Sequence, residues 1–371
     1  MSAASDHKAH STRANPNTQG VGAGLRLALC RRRTSHSRAL IANCRLSFNE
    51  LRKEMMTALH GVYIDHQMTT PFAMAQLSAK IKPFATDLAR TGVLLLTTCV
   101  RVEAYGEESS LRSIDRTMLS GFSYERIEGA VAIARRLAQI ASSAHSQILG
   151  ESYVSHQLAN SIELVDPNLP IFQVARFGLD MGRAARERQK FIASFNYDQI
   201  VRDIIAHRFQ NGEPPDRLYI IGAGMLGRGL IGSGVGERFR STTVVTRNPK
   251  TLRKRLRPYA DLEVTLMRPE EIGQEPEPRS FVVIATAEVN QEYEAILRKG
   301  LLRLEPRTIV DLSSIPTLSD ASAKNLNYVS MYSKEFLRFI EDNNRDLAPK
   351  LPLLFSDIEA TLRTVQIHLS A

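Results

Sequence analysis

The sequence lacks the features of secreted and membrane proteins. It has three cysteines in 371 residues, Cys30, Cys44 and Cys99, too few for a disulfide framework in a chain of this length. Its longest apolar stretches, such as residues 92–100, are far shorter than the roughly 18–20 residues that span a bilayer. We therefore expect no transmembrane helix, a reducing environment and a cytoplasmic location.

Common catalytic motifs are missing as well. No G-x-S-x-G, H-E-x-x-H or Walker-type loop is present. His145 and His156 could share a helix face, but they lack the close spacing of known metal-binding pairs. We therefore predict no metal site.

Acidic residues are scarce in the first fifty positions. This segment has eight basic residues against two acidic ones, and so supplies +6 of the net charge of +9. Its composition is that of a targeting segment, but we do not favour targeting, because Met55 and Met56 suggest a misplaced start codon upstream. The rest of the chain is near neutrality, so its net charge does not by itself indicate a nucleic-acid partner.

Beyond this segment the composition predicts a globular protein of two or three domains, with 43% hydrophobic and 23% charged residues. Apolar patterns predict strands at residues 59–65, 92–100 and 101–107, and helical stretches at residues 71–81, 127–158 (one helix or a pair), 172–188 and 197–209. After a turn-rich boundary at residues 210–216, four apolar strands alternate with helices, which predicts a parallel, doubly wound sheet. The last fifty residues predict helix interrupted at Pro349 and Pro352.

A glycine-rich segment, GAGMLG, follows the apolar strand at residues 218–221 and opens a helix. Gly222 permits a tight turn, Gly224 lets the backbone approach a pyrophosphate, and Gly227 allows close packing of helix against strand. The segment predicts a dinucleotide-binding loop, and the alternative is a glycine turn without a ligand. The remaining loop residues are Ala223, Met225 and Leu226.

The end of the next strand indicates which dinucleotide would bind. The stretch TVVTRNPK contains Thr246 and Arg247 but no acidic residue to bind a ribose 2′-hydroxyl, as NAD sites have. A guanidinium group pairs well with a 2′-phosphate, so the sequence favours NADPH. The alternative is a solvated basic turn.

Cys99 ends an apolar stretch in the segment TTCVR. A cysteine in such a place is usually a packed core thiol. In an extended backbone, however, Cys99, Arg101 and Glu103 would point to the same side, and a nearby guanidinium favours the nucleophilic thiolate. A core thiol and a nucleophile therefore both remain open.

Several segments resemble the glutamyl-tRNA reductase family, and they occur in the family's order. TCVRVEAYGE is similar to its TCNR-x-E-x-Y signature, and SSAHSQILGESYVSHQ to its S-G-L-D-S-x-x-x-G-E-P-Q-I-L-x-Q run. YIIGAGMLG, FVVIATA and TIVDLSSIP follow at the family's approximate spacings, and DHQMTTP resembles its N-H-K-T-A-P. The resemblance covers about residues 59–340.

The resemblance implies roles for individual residues. Cys99 matches the nucleophile that forms an enzyme-bound thioester, and residues 222–227 match the NADPH loop. An arginine can hold a substrate carboxylate by two parallel hydrogen bonds. The positions that match substrate contacts are Thr98, Arg101, Ser146, Glu151, Tyr153 and Gln157.

The resemblance also implies the architecture. The expected fold is α/β, with a small N-terminal α/β catalytic domain, a Rossmann-type doubly wound NADP-binding domain and a C-terminal helical segment. The corresponding boundaries are an extension at 1–55, the catalytic domain at 56–195, the NADP-binding domain at 196–325 and the helical segment at 326–371. Because the last segment is shorter than the family's dimerisation domain, the sequence assigns no oligomeric state.

The chain departs from the family pattern at several positions. Val100 replaces the asparagine after the cysteine, and Arg136 stands where the family has a histidine thought to assist catalysis. His145 replaces the aspartate before the signature serine, and the triplet E-S-Y at 151–153 replaces E-P-Q. These differences indicate a diverged relative, whose acyl group could differ from glutamate.

A basic stretch, GRAARERQK, carries Arg183, Arg186, Arg188 and Lys190. We expect these side chains to form a solvated helix face. The alternative is a patch that binds tRNA phosphates.

The sequence therefore predicts an NADPH-dependent reductase of an aminoacyl-tRNA, with glutamyl-tRNA as the expected substrate. The product would be glutamate 1-semialdehyde, for 5-aminolevulinate and tetrapyrrole (porphyrin) biosynthesis, and the partners charged tRNA and a downstream aminomutase. One alternative is a non-catalytic relative that binds tRNA, haem or a pathway partner. Others are a reductase of another activated acyl group and a small-molecule dehydrogenase, which would explain the glycine loop but not the ordered Cys, Ser and Glu motifs.

Overall fold

The structure is a computed structural model of the chain. It describes residues 59–98, 100–117, 119–194, 196–209, 216–256, 263–286, 291–313 and 315–370. The predictions for the N-terminal extension, for Cys99 and for most of the turn-rich boundary at 210–216 lie outside the described residues.

The first sheet is antiparallel and has four strands in the order β2-β3-β1-β4. The strands are β1 Leu59–Asp65, β2 Leu94–Thr97, β3 Arg101–Glu107 and β4 Glu125–Glu128. Three helices follow its strands closely along the chain: α1 Pro71–Ile81, α2 Ala85–Arg90 and α3 Glu108–Thr117. Alternate side chains of β1 and β3, Val62, Ile64, Val102 and Ala104, pack with residues of these helices in one apolar cluster.

The junction of β2 and β3 corrects the predicted extended stretch through Cys99. Thr97 pairs with Val102, and the Thr98 N–H donates to the Arg101 carbonyl oxygen at 2.9 Å, so the chain reverses between the two strands. Arg101 and Glu103 do share one side of β3, which begins at Arg101. The turn has no glycine, proline or asparagine to mark it; the Thr98 hydroxyl accepts the Val100 N–H instead.

Three helices continue the chain after the first sheet: α4 Ala130–Ala141, α5 Tyr153–Ile162 and α6 Pro170–Arg188. The predicted helical stretch 127–158 is thus a pair of helices, preceded by a strand that contains Ile127. Helices α4 and α6 approach closely at Gly182, because a Cβ atom there would lie only 2.2 Å from the Ala138 carbonyl oxygen.

The second sheet confirms the predicted parallel, doubly wound fold. Its strands are β5 Arg217–Ile221, β6 Ser241–Val245, β7 Val264–Met267, β8 Ser280–Ile284, β9 Thr308–Asp311 and β10 Tyr328–Ser330. All neighbours are parallel, in the order β10-β9-β8-β5-β6-β7. This is the order of the Rossmann fold, which reverses between β5 and β8.

Helices cover both faces of this sheet. They are α7 Tyr197–Arg208, α8 Met225–Gly232, α9 Pro249–Arg255, α10 Gln291–Leu304 and α11 Asp320–Ala323. Leu218 and Ile220 of β5 pack in one apolar cluster, whereas Tyr219 and Ile221 pack in another. A strand that is apolar on both sides is typical of a sheet buried between two layers of helices.

The C-terminal region is helical from Lys334 onward, but the predicted boundary at residue 326 is wrong, because Tyr328–Ser330 form the edge strand β10 of the second sheet. Helix α12 Lys334–Leu347 is separated by a short 3-10 turn, Ala348–Lys350, from α13 Leu351–Ser370. Pro349 lies in the turn, but Pro352 is in the first turn of α13, where its missing N–H leaves no helical bond unmade. No helix in the described parts of the chain is long and apolar enough to cross a membrane.

Two asparagines of α12 hold distant loops in place. The buried Asn343 amide donates to the Leu149 carbonyl oxygen at 3.0 Å and accepts the Ser194 N–H at 3.0 Å. Asn344 accepts the Leu149 N–H and donates to the Gln147 carbonyl oxygen. The segment 147–150, which leads into α5, is therefore fixed by the C-terminal helix.

We predict that Asn343→Ala lowers the free energy of unfolding by about 2 kcal/mol, because it removes the partner of the buried Leu149 carbonyl oxygen and of the Ser194 N–H. Urea unfolding measures the change. Asn160→Ala, at an exposed position of α5, is the control and should change the midpoint little. An equal, small effect of both substitutions would contradict the assigned role of Asn343.

Candidate functional site

A cluster of charged side chains occupies the face of the first sheet opposite its apolar cluster. In the β1–β3 ladder Asp65 pairs with Arg101 and Tyr63 with Glu103, so these four side chains share one face. Arg136 of α4 lies over them. Its Nη2 is 2.8 Å from a Glu103 carboxylate oxygen and 3.4 Å from one of Asp65, and its guanidinium carbon is 3.5 Å from the centre of the Tyr63 ring.

Arg136 remains a cation in this setting. Burial lowers the pKa of its guanidinium, but the attraction and hydrogen bond of Glu103 outweigh burial and raise the pKa above its ordinary value. Burial and a hydrogen bond to Glu125 raise the pKa of Tyr63 to about 12. Neither side chain can therefore accept a proton near neutral pH.

Arg101 is fully buried, but most of its guanidinium lacks hydrogen-bond partners. Its Nη2 donates to the His145 carbonyl oxygen, and its Nη1 lies 3.7 Å from the Glu103 carboxylate. Neither Nε nor Nη1 has a hydrogen-bond acceptor. Such buried donors are costly to leave unpaired, and an anion or carbonyl oxygen of a ligand would satisfy them.

The predicted nucleophile follows Thr98, which is buried. Cys99 itself lies outside the described residues, so its surroundings are known only through its neighbours along the chain. Thr98 and Arg101 close the turn that contains it. The predicted substrate contacts Thr98 and Arg101 are thus brought together at one end of the first sheet.

Ser146 and Glu151 are also close to one another, between α4 and α5. The Ser146 hydroxyl lies 3.3 Å from the Glu151 carboxylate, which also accepts the N–H groups of Tyr153 and Val154. Burial raises the pKa of Glu151, against the lowering effect of these donors. The Glu151 carboxylate therefore caps the first turn of α5, a structural role that the sequence did not indicate.

Tyr153 lies beside the nucleotide-binding half of the chain. Its ring packs edge-on against Tyr197 of α7, with 5.6 Å between the ring centres, and its hydroxyl oxygen would be 3.1 Å from a Cβ atom at Gly229 of α8. Gln157, one helical turn further along α5, is partly buried. The predicted substrate contacts thus extend from the end of β3 to the surface of α8.

The predicted solvated face of α6 is wrong for Arg183 and Arg186, whereas Arg188 is exposed as predicted. Arg183 donates to the Ser155 hydroxyl at 2.9 Å, and Arg186 donates to the Gly150 carbonyl oxygen at 2.6 Å. Arg188 donates three hydrogen bonds to the Asp357 carboxylate of α13. Residues distant in sequence supply these acceptors, so the local pattern could not reveal them.

His145 lies between α4 and α5, so the prediction that it shares a helix face with His156 is wrong. Its Nε2 is 3.0 Å from the Gln139 side-chain oxygen, and its ring stacks on Phe355 of α13. Burial, followed by the positive charges of Arg136 and Arg101, lowers the pKa of His145 to about 4. Its imidazole is therefore neutral at neutral pH.

The glycine loop lies at the carboxyl end of β5, where the strand order reverses. Gly222 has a φ of +106°, and a Cβ atom there would be 2.5 Å from the Ala285 carbonyl oxygen, beyond the end of β8. At Gly227 a Cβ atom would be 2.0 Å from the Gly222 carbonyl oxygen. Only glycine fits at these two positions.

Gly224 is different, because a Cβ atom there would meet nothing within 4 Å. The open space in front of its backbone, at the N-terminus of α8, suits the pyrophosphate of a dinucleotide. Ala223, Met225 and Leu226 complete the loop around this space. The residues present therefore fit the predicted ligand.

Thr246 and Arg247 follow directly after β6, beside this loop. The Gly222 N–H donates to the carbonyl oxygen of Val245, the last residue of β6. Arg247 is exposed, and the Thr246 hydroxyl accepts the Asn248 N–H. The two residues are thus placed where the adenosine ribose of a dinucleotide lies in this fold.

The strand order and the glycine loop define the fold class of NAD(P)-dependent oxidoreductases. The chain belongs to the family of Protein nfe2 from Rhizobium meliloti, with 59% identity over 307 residues, which covers 83% of this chain and 99% of that protein. No protein-family model matches.

Solved structures also show similarity to the chain. Glutamyl-tRNA reductase from Methanopyrus kandleri matches with 17% identity over 84% of this chain and 80% of that chain, at a TM-score of 0.43. L-tryptophan dehydrogenase from Nostoc punctiforme matches with 10% identity over 67% and 71% of the two chains, at a TM-score of 0.29. A chorismate mutase/shikimate 5-dehydrogenase fusion protein from Clostridium acetobutylicum matches with 16% identity over 46% and 63%, at a TM-score of 0.28.

We predict that Gly224→Ala weakens dinucleotide binding at least tenfold without changing stability, because its methyl group would occupy only the space in front of the loop. Gly227→Ala should instead lower the free energy of unfolding, because its methyl group would collide with the backbone. Titration of dinucleotide fluorescence and urea unfolding separate the two effects. Unchanged affinity in Gly224→Ala would place the ligand elsewhere.

We predict that the protein loses roughly 2 kcal/mol of stability from His145 as the pH falls from 7 to 4.5. The folded state holds the pKa of this histidine near 4, so the unfolded chain binds its proton first and stability falls below about pH 6.5. His145→Asn should flatten that part of the pH profile of the unfolding free energy. His156→Asn, at an exposed position, serves as the control, and identical profiles for all three proteins would refute the assignment.

Proposed function

We propose that this protein is an NADPH-dependent reductase of an aminoacyl-tRNA, with glutamyl-tRNA as its substrate and Cys99 as its nucleophile. The observation that carries the proposal is the buried Arg101, because its Nε and Nη1 have no hydrogen-bond acceptor and it follows Cys99 by two residues in the sequence. An oxidoreductase fold with a glycine loop and a buried arginine that has donors to offer suits reduction of an acyl group that carries a carboxylate. The product would be glutamate 1-semialdehyde.

Arg101 would bind the side-chain carboxylate of the glutamyl group. Its unpartnered Nε and Nη1 can each donate a hydrogen bond to a ligand oxygen, and the position of the guanidinium inside the protein strengthens such bonds. Glu103 and the His145 carbonyl oxygen hold the guanidinium from one side, so it is oriented before a substrate arrives. Thr98 precedes the nucleophile and would contact the same acyl group.

Cys99 would convert a poor hydride acceptor into a better one. Its thiolate attacks the ester carbonyl carbon, the carbon–oxygen bond to the tRNA ribose breaks, and the acyl group remains as a thioester. A thioester carbonyl is more electrophilic than the ester, so one difficult reduction is divided into two easier steps. Arg101 also favours the thiolate through its positive charge.

The residues at the carboxyl ends of β5 and β6 would hold the cofactor. Gly222, Gly224 and Gly227 accommodate the pyrophosphate at the N-terminus of α8, and Arg247 pairs with the 2′-phosphate. When bound, NADPH supplies the hydride that takes the acyl carbon to the aldehyde level. Tyr153, which links α5 to α8, keeps the two binding regions adjacent.

We predict that NADPH binds at least tenfold more tightly than NADH, because Arg247 provides a guanidinium where NAD sites have a carboxylate. Arg247→Asp should reverse the preference, a change of about 1.4 kcal/mol for each tenfold factor. Arg253→Asp, on the exposed part of α9, makes the same charge change away from the ribose position and is the control. Equal affinities in the unaltered protein would refute the NADPH assignment.

The decisive experiment supplies charged tRNA to the enzyme without NADPH. We expect intact-protein mass spectrometry to show the added mass of one glutamyl group, which is absent in Cys99→Ser and is removed by hydroxylamine. Arg101→Lys should reduce acylation at least tenfold, because an ammonium group cannot form the paired contact. If no charged tRNA acylates the protein while NADPH still binds, the reductase proposal fails.

A second candidate is a non-catalytic protein that binds tRNA or a pathway partner. The observation that favours it is Arg136, a permanently charged residue at the position where the resembling family has its histidine. The same experiment distinguishes the two, because binding of charged tRNA without acylation would support this candidate.

A further inference from the structure

We propose that the exposed basic face of α9 binds the sugar–phosphate backbone of the tRNA. This basic face consists of Lys250, Arg253 and Lys254, which are all exposed. The inference rests on the proposed function and adds a surface for the part of the substrate that lies beyond the acyl group. A tRNA is far larger than the amino acid that it carries, so residues outside the site on the first sheet are needed to hold it.

The segment that contains α9 carries charge of one sign. Residues 246–258 contain six basic residues and no acidic residue. The rest of the chain after the first fifty residues is near neutrality, so this is a local concentration of positive charge. A basic stripe along a helix is the pattern by which a protein surface attracts the phosphates of a nucleic acid.

The packing of α9 directs these cations towards solvent. Leu252 and Leu256 are buried in an apolar cluster of the second sheet, so they define the inner side of the helix. Lys250, Arg253 and Lys254 follow the i, i+3, i+4 spacing on the opposite side. Like charges at these spacings destabilise a helix. Among the described residues no carboxylate forms an ion pair with the basic face, so the fold alone does not account for it.

The basic face lies on the side of the second sheet that meets the first half of the chain. Leu252 of α9 belongs to the same apolar cluster as Ile200 of α7 and Leu230 of α8. These three helices therefore cover the same face of the sheet. Tyr153 of α5 packs against Tyr197 of α7, so a large ligand that extends from the first sheet across this side can reach α9.

A cofactor phosphate does not account for the basic face. Arg247, which would pair with the 2′-phosphate, precedes α9, whereas Arg253 and Lys254 are in the last turn of the helix. Lys250 and Lys254 are separated by about 6 Å along the helix axis. A single phosphate group cannot contact all of these cations, but a chain of phosphates can.

A membrane surface with anionic lipids is a second class of polyanion, and the structure favours it less. Helices that lie on membranes insert large apolar side chains beside their basic residues. None of the exposed large apolar side chains in the described part of the chain belongs to residues 246–256. The basic face therefore fits a phosphate backbone that stays outside the protein surface.

The arginines of α6, which the sequence offered as an alternative phosphate patch, are already paired. Arg183 donates to the Ser155 hydroxyl, and Arg186 donates to the Gly150 carbonyl oxygen. Arg188 binds the Asp357 carboxylate. Binding of phosphates there would break contacts within the protein, whereas α9 would lose none.

The test measures binding of uncharged glutamate tRNA to the full chain by filter binding over a range of salt concentrations. Arg253→Gln/Lys254→Gln should bind roughly tenfold or more weakly at about 100 mM salt. The slope of the logarithm of the affinity against the logarithm of the salt concentration should become shallower by about 2, because two phosphate contacts no longer release counterions. NADPH affinity should stay unchanged, since neither residue is at the ribose position.

A matched control separates the position of the charges from their number. Arg298→Gln/Lys299→Gln removes two adjacent exposed cations from α10, which packs through Leu297 on the other face of the second sheet. This variant should keep the affinity and the salt slope of the unaltered protein. Arg253→Lys/Lys254→Arg, which keeps both charges, should also bind tRNA normally.

Several outcomes would overturn the inference. They are equal effects of the two Gln variants on tRNA binding, or a loss in the α9 variant of affinity for NADPH or for phosphatidylglycerol vesicles with unchanged tRNA binding. If the α9 variant does not fold, cross-linking of a tRNA with photoreactive uridines to the unaltered protein decides. The cross-links should fall within residues 247–256, and their confinement to other segments refutes the basic face as the binding surface.

Uncharged tRNA keeps this test independent of catalysis. If tRNA binding depends on α9 but no charged tRNA acylates the protein, the inference stands, the non-catalytic candidate is supported and the reductase proposal fails. If an acyl-enzyme forms and tRNA binding is indifferent to the α9 substitutions, the reductase proposal stands and only the role of α9 is refuted.

Discussion

The Glu103 carboxylate meets two guanidinium groups inside the protein, and the ionic face of the first sheet depends on that contact. Glu103 and Arg101 are wholly buried, and Arg136 and the Tyr105 hydroxyl complete the shell around the carboxylate. Burying these charges is costly unless each is paired, so loss of Glu103 would leave two cations without their common partner. The contact also orients Arg101, because it fixes one side of the guanidinium and leaves the other side to a ligand.

The two C-terminal helices, α12 and α13, fix the position of other residues of the site through hydrogen bonds. Asn343 and Asn344 hold segment 147–150, and Asp357 of α13 pairs with Arg188 of α6. Ser146 and Glu151, on either side of that segment, therefore occupy positions that depend on residues about two hundred positions later. The folded site thus requires the end of the chain as well as the two sheets.

Sequence patterns predicted the strands, helices and glycine loop that depend on residues close together in the sequence. The bounds of β1 and α1 agree with the predicted residues, and the glycine loop lies between strand and helix as expected, because periodicity and glycine spacing are local properties. The turn before Arg101 was missed, since a threonine hydroxyl closes it without a turn residue. The partners of Arg183 and Arg188 could not be predicted, because they depend on contacts between segments that are distant in sequence.

The contact of Tyr153 with Gly229 has an evolutionary consequence. The Tyr153 hydroxyl lies close to the backbone of α8 at Gly229. A Cβ atom at position 229 would be only 3.1 Å from the oxygen of this hydroxyl. The two positions belong to different halves of the molecule, and a side chain added at position 229 would require the Tyr153 hydroxyl to move. Among related proteins a larger side chain at position 229 should therefore occur together with a smaller one at position 153, so that the two positions are inherited as a pair.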